Sequence, residues 1–183
     1  MDANSLHDLY LKQLKDLYDA EQQLTKALPR LAKAAASEHL RSAFEEHLEK
    51  TRGHAARLEK IFACIGDAAK AEKCKGMEGL ISESGEIIDR NFAEDVKDAA
   101  LIAAAQRIEH YEIAGYKTVR SYANRLGDKD AAALLDQTLK EEKEADEMLN
   151  RIAEQITMDP GASRPQNESA RPAGESSGKQ PAA

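Results

Sequence analysis

Seven ionisable residues in this chain have the types and spacing of metal ligands: Glu21, His47, His54, Glu109, Glu112, Glu142 and Asp146. Carboxylates offer oxygen lone pairs when ionised, and a neutral imidazole offers one ring nitrogen. None of the seven lies in a polar stretch; each interrupts an apolar stripe of helical period. Glu21 falls between Leu17 and Leu24, in the stripe that begins Leu6, Tyr10, Leu14 and continues through Leu28, Leu31 and Ala35. His47, Lys50 or Thr51, and His54 fall between Phe44 and Leu58. Glu109 and Glu112 interrupt a stripe running from Leu101/Ile102, Ala105 and Ile108 to Tyr116, Val119 and Ala123. Glu142 and Asp146 sit between Leu139 and Leu149. A stripe of this period faces a core, so all seven lie on inward faces.

Taken singly, each has an ordinary reading: a stripe-edge glutamate, a hydrogen-bonded histidine, a salt-bridged pair. Five carboxylates on one buried layer are different, because like charges cannot all stay ionised there without a cation. An oxygen-rich set with one or two imidazoles suits iron or manganese, as one ion or two. The neighbouring acids Glu45, Glu46, Glu49, Glu141 and Glu144 fall on solvent faces.

The elements that must bring these residues together are four long helices. Ser5 caps the first, and Pro29 inside its stripe predicts a kink or a restart. Ser37 caps the second and Gly66 stops it. A connector of roughly thirty residues follows, with a short amphipathic helix over Met77 to Arg90. The third long helix begins near Asp95; Gly127 ends it and Asp128 caps the fourth. Two hairpins joined by one long crossover is the ferritin-like topology. Counting outward from the second turn places Glu109 level with Asp146, and Glu112 level with Glu142. Counting from the first turn places Glu21 beside the span Lys50 to His54. At about 1.5 Å per residue, these residues share one layer.

Composition agrees with an all-helical domain over residues 1–158. Ala, Leu, Glu and Lys dominate and Trp is absent. The net charge of −7 disfavours nucleic acid and anionic membranes as partners. No apolar run is long enough to span a bilayer, and Met1 to Ser5 lacks signal-peptide features, so a cytoplasmic location is expected. Cys64 and Cys74 read as two reduced thiols. Residues 159–183, rich in Pro, Gly and Ser, read as a disordered tail.

Beyond this, the stretches Ala20 to Pro29, Met77 to Ile81, Asp98 to Gln106, Glu109 to Ala114 and Leu139 to Lys143 resemble the YciE/YciF-type bacterial stress proteins. The resemblance covers roughly residues 5–156. It implies a ferritin-like fold related to rubrerythrin and a homodimer, with no defined reaction. The full ferritin pattern carries Glu-x-x-His on each of two helices. Here the last helix has Glu142 and Asp146 without a histidine, and Lys50 stands where a glutamate is expected. Lys50 either points out of the stripe or sits among the carboxylates as an internal cation, which would leave one strongly held ion. Two functions compete: a metal-binding oxidoreductase that handles peroxide or dioxygen, and a metal-free structural bundle whose polar layer fixes helix register. An iron store is a third, for which the chain shows no assembly surface.

Overall fold

The structure, a computed structural model, describes residues 4–156. Five helices account for nearly all of it: α1 (Leu6–Ala34), α2 (Glu38–Ile65), α3 (Lys75–Asp89), α4 (Glu94–Leu126) and α5 (Lys129–Gln155). The expected tail, 159–183, lies outside the described residues.

The helix ends follow the expected side chains. Ser5 Oγ accepts from Asp8 N at 3.1 Å, and Asp128 Oδ1 accepts from Ala131 N at 3.0 Å. Ser37 Oγ faces Leu40 N at 3.5 Å. Gly66 and Gly127 end α2 and α4 with φ of 78° and 80°, the left-handed conformation that favours glycine. Pro29 neither breaks nor restarts α1, which runs through it to Ala34. The residue is exposed, so the carbonyl it leaves unpaired can turn to water.

α1 packs chiefly on α2 and α4 chiefly on α5; the two hairpins meet through α1 with α4 and α2 with α5. The crossover helix α3 lies against α4 and α1. Its approach is tied at Cys74, whose backbone N–H donates to Asp19 Oδ2 at 2.8 Å and whose thiol lies 3.2 Å from Asp16 Oδ2. Both cysteines are free thiols, Cys64 exposed and Cys74 buried. The turn between α1 and α2 is held from α4. The buried Asp98 carboxylate accepts from Ala36 N at 2.8 Å and from Ser37 N at 2.7 Å.

The core is divided in two. One apolar cluster gathers Leu24, Leu28, Leu31, Leu40, Phe44, Leu101, Ile108 and Leu149; the other gathers Leu14, Leu17, Leu58, Phe62, Tyr116, Val119, Leu135 and Leu139. Along each long helix, the polar candidates lie between its members of the two clusters.

Candidate metal centre

Each long helix supplies its inward polar residue because that residue holds a core position of the stripe. Glu21, Thr51, His54, Glu112 and Glu142 are essentially inaccessible, and His47 and Glu109 are more than nine-tenths buried. The structure brings six of the seven candidates together in two groups. His47, Glu109, Glu112 and Glu142 form one; Glu21, His54 and Glu142 form the other. Within each group the candidate ligand atoms lie within 4.8 Å of one another, and Glu142 belongs to both.

His54 Nδ1 lies 2.9 Å from Glu142 Oε1 and 3.5 Å from Glu21 Oε1. His47 Nε2 lies 3.3 Å from Glu109 Oε1 and 3.8 Å from Glu142 Oε2. These atoms are close but not aligned as hydrogen-bonding pairs. Among the described residues, both oxygens of Glu112 and Glu142, Oε2 of Glu21 and of Glu109, both ring nitrogens of His47 and Nδ1 of His54 are buried without a hydrogen-bond partner. Buried polar groups are nearly always paired, and such a concentration of unpaired lone pairs is compatible with metal binding.

The electrostatics agree. Burial, reinforced by the Glu142 charge, holds Glu109 well above the usual carboxylate range. Burial and the charges of Glu21, Glu142 and Glu109 do the same to Glu112. Burial also raises Glu21. Burial opposes charge on His54, but Glu142 and then Glu21 outweigh it and push the ring up to about 11. Burial lowers His47 and favours its neutral form, the form that ligates.

Asp146 is not part of either group. It is partly exposed on the outer α4–α5 seam, where Oδ1 accepts from Gln106 Nε2 at 3.3 Å and Oδ2 faces His110 Nε2 at 3.3 Å. Four residues advance a helix about 40° past a full turn, enough to carry Asp146 off the interior. Lys50 is not an internal cation either. It is half-buried beside His47, lining a cavity outside the centre, and pairs with none of Glu21, Glu109, Glu112 and Glu142 within 4.0 Å. Thr51, three residues before His54, is the one of the two that faces inward.

Two participants were missed in the sequence. Glu141, read as a solvent-face acid, turns its carboxylate inward: Oε2 is 3.0 Å from His54 Nε2, Arg57 clasps both its oxygens at 2.8 Å, and Oε1 also accepts from Gln137 Nε2 at 3.0 Å. A histidine that ligates through one nitrogen almost always bonds a carboxylate, carbonyl or water through the other, which is the signal that could have found it. Tyr116, read as an apolar stripe residue, donates its phenol O–H to Glu21 Oε1. A buried tyrosine hydroxyl usually finds such a partner.

Residues 5–160 match the protein family described as a domain of unknown function, DUF892. Protein YciF of Escherichia coli (strain K12) is 45% identical over 154 residues, which is 84% of this chain and 93% of YciF. The crystal structure of that E. coli stress protein is similar at a TM-score of 0.82 and 44% identity, covering 84% of this chain and 98% of the other. YcfI from Rhodopseudomonas palustris is similar at a TM-score of 0.79 and 40% identity, covering 81% of this chain and 95% of YcfI. Ferritin-like, diiron-carboxylate proteins from Bacillus anthracis str. Ames are similar at a TM-score of 0.62 and 18% identity, over 83% of this chain and 99% of theirs. That last similarity shows the fold alone, which is ferritin-like.

Proposed function

This chain belongs to the DUF892 family, and from its buried carboxylate–histidine layer we propose that it is a ferritin-like metal-binding protein of the bacterial stress response. The observation that carries this reading is the set of buried, unpartnered ligand atoms at the junction of the four long helices. Glu21, His54 and Glu142 would hold one ion; His47, Glu109 and Glu112, with Glu142 again, would hold the second. The oxygen-rich donor set suits iron or manganese. Held there, either metal supplies redox chemistry toward peroxide or dioxygen.

The protein's own groups have definite tasks around such a centre. Glu141, fixed by Arg57, accepts from His54 Nε2–H and so leaves Nδ1 free to face Glu21 and Glu142. Tyr116 holds one Glu21 oxygen and leaves the other free. Apolar residues on both sides along the bundle limit water around Glu21, His54, Glu112 and Glu142, which strengthens the electrostatic interactions among them. The E. coli relative is called a stress protein, which supports the stress-response part of the reading.

The test is metal content of protein expressed with iron or manganese supplied, read with the melting curve. Two ions per chain and a raised Tm are expected, because an ion that binds only the folded state stabilises it by mass action. Lys50→Glu should leave the stoichiometry unchanged. Protein that takes up no metal, with an unmoved melting curve at saturating metal, would make the layer a structural device for helix register.

A further inference from the structure

A partly enclosed cavity of about 240 Å³ lies between α2 and α5, and two of its lining residues, His47 and Glu109, belong to the centre. Ala145 is among the small residues that line it. Ala145 stands three residues after Glu142, where a Glu-x-x-His helix would carry its histidine; here a methyl group lines the cavity instead. A water molecule occupies about 30 Å³ of liquid, so this space is several times larger than peroxide or dioxygen requires and suits a small organic molecule. Phe44, Met148 and Leu149 give it apolar walls.

The polar groups of the cavity are specific. His54 has Glu141 for its outer nitrogen, but Nδ1 of the buried His47 has no hydrogen-bond partner among the described residues. Lys50 lines the same cavity and is half-buried without a carboxylate within 4.0 Å among the described residues. An ammonium lacking a counter-ion at an apolar-walled cavity describes a place for an anion's oxygens. The remaining lining charges are Glu46, Glu144 and Arg151. Two charged acids so near disfavour a multiply charged head, and the apolar walls call for a hydrocarbon body.

We propose that the α2–α5 cavity binds a small apolar monocarboxylate, its head group at Lys50 and its body against Phe44, Met148 and Leu149. The cavity and Lys50 do not depend on the metal reading above, so the two fail separately.

Isothermal calorimetry on the full chain, both metal-loaded and chelator-treated, tests this with hexanoate as the probe and hexanol and hexylammonium as controls. Hexanoate should bind once per chain, at least tenfold more tightly than either control. Lys50→Met should weaken it by roughly tenfold, the usual scale of one charge-assisted contact. Ala145→Leu should abolish binding by filling the space, with helix content and metal content retained; Ala43→Leu fills the same cavity from α2 and should repeat the result. Saturable hexanoate binding with this pattern in protein that takes up no metal would sustain the pocket and sink the metal reading. The proposal is overturned by absence of binding at millimolar hexanoate, by controls that bind equally well, or by binding that survives both filling variants. Metal-dependent binding that Lys50→Met does not weaken would overturn it too, because the carboxylate would then be ligating the ion.

Discussion

Glu112 shows what the centre costs the fold. Both its oxygens are buried and unpartnered, and its carboxyl is kept neutral far above the ordinary range by burial and by three neighbouring glutamates. A buried polar group left unpaired costs about 1–3 kcal/mol. Glu112→Met, similar in volume and without polar oxygens, should therefore stabilise the metal-free protein by about that amount and remove most of the metal-induced rise in Tm. Chemical denaturation of metal-free and loaded samples checks both; a destabilised metal-free variant would contradict the account. Glu141 makes the complementary case. Its loss as a hydrogen-bond acceptor in Glu141→Ala should weaken metal binding by about 10–100-fold through His54, without removing a ligand. Competition with a chelator measures it, and Glu141→Asp should recover part of the loss if orientation is what Glu141 supplies.

At the scale of elements, the centre is positioned by devices that do not touch it. Asp98 near the start of α4 accepts both backbone N–H groups of the α1–α2 turn, a contact 61 and 62 residues apart in sequence. Asp98→Ala would leave two part-buried donors unpaired, at about 1–3 kcal/mol. A drop in denaturant midpoint with unchanged slope is the expected result. Gly127 is the tighter hinge of the second hairpin. Its φ of 80° makes Gly127→Ala destabilising, by about 1 kcal/mol.

At the scale of the whole molecule, the buried layer sets a pH dependence opposite to that of most acidic proteins. Glu109 and Glu112 keep protons in the metal-free folded state that the unfolded chain releases near pH 4.3, about the ordinary glutamate value. Their contribution to stability is complete below that pH and is lost as pH rises toward their raised folded values. His54 acts with the same sign. Burial opposes its charge, but Glu142 and Glu21 prevail, so its contribution is complete below about pH 6.5 and is lost on the way to about 11. Across that range the folded state binds more protons than the unfolded, so stability falls as pH rises. Glu142, lowered by His54 and His47 against its burial, has already given its full contribution above the ordinary carboxylate range. The metal-free Tm should therefore decline from about pH 5 to about pH 9, and the metal-induced rise should grow over the same range, because ligands must shed protons to bind. Thermal melts across pH check both trends; a metal-free Tm that climbs with pH would refute the assignment.

The amino-acid sequence by itself determined the helices, their caps and six of the residues at the centre. Period, capping side chains and turn glycines are local properties: Ser5, Ser37, Gly66, Gly127 and Asp128 act within a few residues of themselves. Charged residues in apolar stripes were legible for the same reason, since a stripe position is a burial position. The tertiary structure decided what depends on rotation and reach between helices. Asp146 and Glu142 share a stripe, but about 40° of rotation separates an outer seam from the interior. Lys50 and Thr51 are adjacent in sequence, and only packing against α5 shows which one faces inward and which one lines the cavity. Glu141 reaches His54 across 87 residues of chain, and Tyr116 reaches Glu21 across 95. No spacing rule within one helix could pair them, because hydrogen bonds between elements are set by where the packed backbones bring their side chains.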